Sequence, residues 1–156
     1  MANKNGAKKN GAGADTKAVV AVLNRLLELE LAGVVRFNHY ALMVFGHARI
    51  PIVAWLRTEA TEAMGHAQKI GEWVTALGEH PSLKIGPLLE THRHAIDDIL
   101  KEVLEHEAEG LEVYRELLAL VVNRDVALEE FAREMIALET GHLHDVEKML
   151  RKAGAI

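Results

Sequence analysis

Glu30, His66, Glu107 and the element Glu139-Thr140-Gly141-His142 occur in the order that a carboxylate-bridged pair of metal ions requires. Such a site takes a lone Glu from each of two helices and Glu-x-x-His from each of the other two, because residues i and i+3 share one helix face and converge on one ion. Three helices supply their part in full. The remaining one reads Glu62-Ala63-Met64-Gly65-His66, so its Glu is one residue out of place. Glu62 precedes His66 by one turn, and both can still reach one ion, although the Cβ of Glu62 is rotated about 100° from the expected ligand. Either Glu62 substitutes as a ligand, or the site is incomplete and water fills the gap. Glu59 shares the stripe of His66 but stands about 10 Å away along the axis, which argues against a role for it.

Placement on the helices carries more weight than the motif. Glu30 interrupts the apolar stripe Leu23, Leu27, Val34, Phe37, Ala41, and Glu107 interrupts Leu100, Leu104, Leu111, Tyr114, Leu118. Glu139 and His142 lie between Leu128, Met135, Ile136 and Val146, Met149. An unpaired carboxylate in a core costs several kcal/mol, so it must be paired, protonated or metal-bound. A buried Glu/His hydrogen-bond network without metal would satisfy one such residue. Three core carboxylates and two histidines at matching heights favour the metal. By the same face test Glu28, Glu102, Glu105, Glu109 and Glu112 fall toward solvent. His39, His47, His80, His92, His94, His106 and His144 show no closed ligand spacing, and most are expected at the surface.

Helices must position these groups, and the composition favours them: 49% hydrophobic residues with only 4% aromatic, in a chain rich in Leu, Ala and Glu. Asp15 or Thr16 can cap a first helix running to about His47. Pro51, tolerated in a first turn, opens a second to about Gly78. The stretch Glu79 to Pro87 breaks the pattern, a third helix covers Leu88 to Val122, and a fourth follows the turn Asn123-Arg124-Asp125 to about Lys152. Short loops make the first two and the last two helices antiparallel hairpins. The central connection is long enough, at about 30 Å, to traverse the bundle. The hairpins echo each other, since Glu30 precedes His66 by 36 residues and Glu107 precedes His142 by 35. The expected fold class is therefore an all-α, antiparallel four-helix bundle over residues 16–154 with one long crossover.

Residues 1–15 form a Gly/Asn/Lys-rich segment expected to be disordered. Its lysines, against an overall net charge of −5, give weak, salt-sensitive attraction for nucleic acid, so a solubilising extension is the better reading. No apolar run is long enough to span a membrane, and no secretory leader is evident. The absence of cysteine excludes thiolate metal sites and suits a cytoplasmic location.

The stretches LLELELAGVVRF, EATEAMGHA, EHEAEGLEVYRELL and ALETGHLHDVEKML resemble bacterioferritin over about residues 18–150. That resemblance implies a ferritin-like di-iron protein that oxidises Fe(II) with O₂ or peroxide and stores the ferric product. Glu30, His66, Glu107, Glu139 and His142 then match ferroxidase ligands, and Met64 matches the methionine that ligates haem b between two subunits. Three departures stand out. Ala63 replaces a bridging Glu, Phe37 stands where a redox-active Tyr is common, and the sequence stops 14 residues after His142, too early for the family's short fifth helix. A homo-oligomer is expected, a dimer at least and a cage at most. The alternative is a non-catalytic haem-binding or scaffold dimer whose metal site has decayed.

Overall fold

The computed structural model describes residues 14–89 and 91–155. Among them are four helices and no strand: α1 (Thr16–Met43), α2 (Arg49–Ala76), α3 (Ile96–Val121) and α4 (Val126–Leu150). The tail expected over residues 1–15 lies outside the described residues except for Ala14 and Asp15.

Local signals set most of the ends. The Asp15 carboxylate accepts from the N–H groups of Lys17 and Ala18 and starts α1, and Asp125 accepts from Leu128 N–H and starts α4, in each case satisfying orphan first-turn donors. Pro51 is the third residue of α2, where its missing N–H costs nothing. The α1 helix stops at Met43 rather than His47, because Val44 is extended and Gly46 takes φ +94°. Arg49 closes this corner by donating to the Val44 and Ala41 carbonyls.

The largest departure from the sequence reading is the start of α3, at Ile96 instead of Leu88. Residues 77–89 and 91–95 are non-helical, with His92 at φ +54°. Topology explains this. Arg25 pairs with Glu116, Glu30 with Tyr114, and Tyr40 with Glu102, so α3 runs antiparallel to α1 and hence parallel to α2. The connection from α2 to α3 must cover the length of the bundle, and extended backbone covers it with fewer residues than helix. It lies along α1: Ser82 N–H donates to Asn24, Ser82 Oγ to Glu28, and Gly86 N–H to the Glu28 carbonyl at 2.8 Å. A Cβ on Gly86 would stand 2.9 Å from that carbonyl oxygen, so the close approach requires glycine.

Two apolar cores result. One gathers Leu23, Leu26, Ile70, Leu117, Leu128 and Met135; the other gathers Phe37, Leu56, Ile99, Val103 and Val146. Glu30, His66, Glu107 and Glu139 fall between them along the chain of every helix. No helix among the described residues is long and apolar enough to cross a membrane.

Candidate metal centre

Helices α2 and α4 are antiparallel, as the contacts Lys69–Glu134 and Glu62–His142 show. Moving back along α2 therefore means moving forward along α4, and the two histidines end up at opposite ends of one cluster. His66 Nδ1 lies 3.1 Å from Glu139 Oε1 and 3.5 Å from Glu30 Oε1. His142 Nδ1 lies 3.5 Å from Glu139 Oε2 and 3.7 Å from Glu59 Oε2, while its Nε2 lies 3.2 Å from Glu62 Oε2. Glu107, Glu139 and His142 also offer ligand atoms within 4.8 Å of one another. Glu139 thus spans the cluster, one oxygen toward each histidine.

All six residues singled out as ligands from the sequence line one small cavity of about 10 Å³, together with Glu59, Phe37 and Ala63. That volume admits about one water-sized sphere, which suits small ions and excludes an organic substrate. Behind the cavity Tyr114 donates to Glu30 Oε1 at 2.8 Å and fixes its carboxylate.

The charges are far from their ordinary balance. Burial pushes the carboxyls of Glu30, Glu59 and Glu107 up, and at Glu107 the nearby Glu139 charge adds to it. Burial acts on Glu139 in the same sense, but the adjoining His142 and His66 rings and the Glu107 carboxyl outweigh it and hold Glu139 at about 2. Burial would lower His66; the Glu139 and Glu30 carboxylates reverse this and raise it to about 10. His142 is raised chiefly by Glu139. Protons on histidine thus offset part of the clustered negative charge.

Those protons leave one atom unserved. Glu139 Oε1 is buried without a hydrogen-bond partner; the His66 ring is close but directs no N–H at it. A buried acceptor in that state is costly, and a cation beside it would remove the cost. Carboxylates with imidazoles are the donor set that hard and borderline divalent ions take. The residues present fit a metal.

Three assignments need correction. Glu59, set aside as too distant from His66, reaches His142 instead, because the antiparallel packing brings the opposite helix to it. Glu102 is buried, not on the solvent face: it accepts from Tyr40 Oη at 2.7 Å and from Thr91 Oγ1. His106 is buried too, with Arg36 Nη1 at 2.9 Å from its Nδ1, and burial with the guanidinium lowers it to about 4. The signal for the last two was the pairing of Arg36 and Tyr40 on α1 with Glu102 and His106 on α3, each set one turn apart. Glu28 is half-buried through its bond to Ser82. Met64 points away from the cavity and is 39% exposed, in a groove with Asn38, Arg57, Ala60, Thr61, Gly65 and Gln68.

Residues 20–156 match the family described as Ferritin-like domain. A ferritin-like, diiron-carboxylate protein of Bacillus anthracis str. Ames superposes with TM-score 0.84 at 23% identity, covering 90% of this chain and all of the other. A dodecameric thioferritin, the bacterioferritin-related protein of Bacteroides fragilis, gives 0.79 at 22%, covering 88% and 86%. The bacterioferritin of Rhodobacter capsulatus, whose structure carries haem iron and a metal-free dinuclear site, gives 0.75 at 25%, covering 89% and 86%. No curated protein matches the sequence. The family match spans nearly the whole folded part, and the helix order and crossover agree with it: the chain belongs to the ferritin-like domain family.

Proposed function

We propose that the protein binds two iron ions within the bundle and oxidises Fe(II) with O₂ or peroxide, in the service of iron storage or detoxification. The observation that carries this reading is Glu139, whose oxygens point to two histidines at opposite ends of one buried cavity. Glu30, His66 and Glu139 would hold one ion; Glu107, Glu139, His142 and one α2 carboxylate, Glu59 or Glu62, the other. Two Fe(II) ions held this closely supply one electron each to a single oxidant. The residues do the rest. Tyr114 keeps Glu30 oriented, the two apolar cores exclude bulk water above and below, and the histidines give up their protons as metal enters. The half-exposed Glu62 gives the cavity a carboxylate at its solvent side.

Anaerobic loading with Fe(II), followed by metal analysis and then oxygen consumption, tests this reading. Close to two ions per chain and oxidation faster than in free solution are expected. Fewer than half an ion per chain would end it. Manganese or zinc in place of iron after purification without added metal would redirect it, since the same ligands accept all three.

A second reading draws on Met64. An exposed methionine in an open groove, flanked by the small residues Ala60 and Gly65, suits a haem b shared with a second copy of the chain, or a dimer interface on a non-catalytic scaffold. A Soret band at half a haem per chain, lost in Met64→Leu, and a two-chain species by light scattering are its signatures. A cytoplasmic location accords with both readings.

A further inference from the structure

We infer that Glu59 supplies the α2 carboxylate at the His142 end of the site, in the place that Ala63 leaves without one. The inference rests on the di-metal reading above and assigns a ligand that neither the Glu-x-x-His spacing nor the family pattern contains. Glu59 precedes Ala63 by one turn and shares its face, about 6 Å along the axis, a gap that a glutamate side chain spans. Its Oε2 lies 3.7 Å from His142 Nδ1, the ring nitrogen that also faces Glu139 Oε2 at 3.5 Å. Glu62 instead meets Nε2, on the other side of the ring.

Burial separates the two candidates. The Glu59 side chain is 10% exposed and lines the cavity, whereas that of Glu62 is 41% exposed. A buried acid that served only as an ion-pair partner would be a net liability beside so many others. The unpartnered Glu139 Oε1, on a side chain 6% exposed, lines the same cavity and points to a cation at the His66 end, while Oε2 is the oxygen that Glu139 shares with Glu59 at His142. Glu62 is then left at the rim, where it guards access to the second ion.

The test is anaerobic Co²⁺ titration of the full chain at neutral pH, read by d–d absorption and by metal content. Wild type should bind two ions. Glu59→Gln, nearly isosteric, should lose one or bind it at least about tenfold more weakly, while Glu62→Gln keeps both within about threefold. Metal-free Glu59→Gln should keep the wild-type circular dichroism spectrum and a cooperative melt, which separates ligand loss from misfolding. The double variant Glu59→Ala/Ala63→Glu should restore the second ion. Two ions bound by Glu59→Gln with wild-type affinity, or loss of the second ion in Glu62→Gln alone, would overturn the assignment while leaving the di-metal reading intact. Failure of the wild type to bind Co²⁺ would overturn both.

Discussion

Glu139 Oε1 stands 3.1 Å from His66 Nδ1 across the α2–α4 interface, yet no N–H is aligned on it. The carboxylate's other oxygen, Oε2, faces His142 Nδ1 at 3.5 Å. Glu139 sits one turn beyond Met135, which is fully buried, and His142 follows on the next turn.

Because both ends of the cluster use Glu139, its loss should be felt at both. Glu139→Ala is expected to leave less than half an ion per chain, a larger defect than Glu30→Ala or Glu107→Ala produces. Metal analysis after loading and desalting measures it, and an unchanged circular dichroism spectrum shows that the fold has survived.

Metal uptake should release protons. With His66 raised to about 10, the ring is protonated at neutral pH, and an ion can take its nitrogen only by displacing that proton. Apparent affinity should rise with pH, by about one logarithmic unit per pH unit for each proton displaced. Stability of the metal-free protein should run the other way. The contribution of charged His66 is fully present below its ordinary 6.5 and is lost as pH rises toward 10; the raised Glu107 carboxyl acts in the same sense. Melting temperatures with and without metal across this range should diverge, and parallel curves would count against the assignment.

The Tyr40–Glu102 bond ties α1 to α3 in the second core, away from the metal cavity. Tyr40→Phe leaves Glu102 Oε2 buried without its phenolic donor, which should cost about 1–3 kcal/mol. Urea denaturation measures that loss. Metal stoichiometry should not change.

Two glycines should respond in opposite directions. Gly86→Ala forces a methyl against the Glu28 carbonyl and should cost about 1–3 kcal/mol. Gly71 lies within α2 with nothing near its added Cβ, so Gly71→Ala should stabilise by about 0.5–1 kcal/mol. Denaturant midpoints of the two variants decide both.

Helical stripes made the four helices and five of the cavity's acidic and imidazole residues legible, because burial on a helix face is a periodic property; Glu62 came only from its one-turn spacing to His66. The crossover was legible too, from its prolines and its reach; where it ends was not, because that answers to topology. Leu88 and Leu89 look like the start of a helix, yet they lie on the connection that has to run alongside α1 before α3 can begin. Glu59 was missed for a related reason. Distance along its own helix says nothing about what the antiparallel neighbour brings up to it. Glu102 and His106 were misplaced because a stripe read from Leu100, Leu104 and Leu111 is narrower than the face α3 buries against both α1 and α4. Polar pairs that meet across two helices escape a test applied to one helix at a time.

Each hairpin brings half of the cluster: Glu30, Glu59, Glu62 and His66 from one, Glu107, Glu139 and His142 from the other. The second half groups Glu107, Glu139 and His142 by itself, but the ion at His66 would draw on both halves, with Glu30 and His66 from one and Glu139 from the other. The extended connection, laid along α1 by Asn24 and Glu28, fixes the register in which the halves meet and so sets their effective concentration. A bound ion then works as a clasp on two pieces already held in line. Cutting the chain within the connection should leave two hairpins that meet through their shared apolar cores, with a bound ion making up part of what the lost tether supplied.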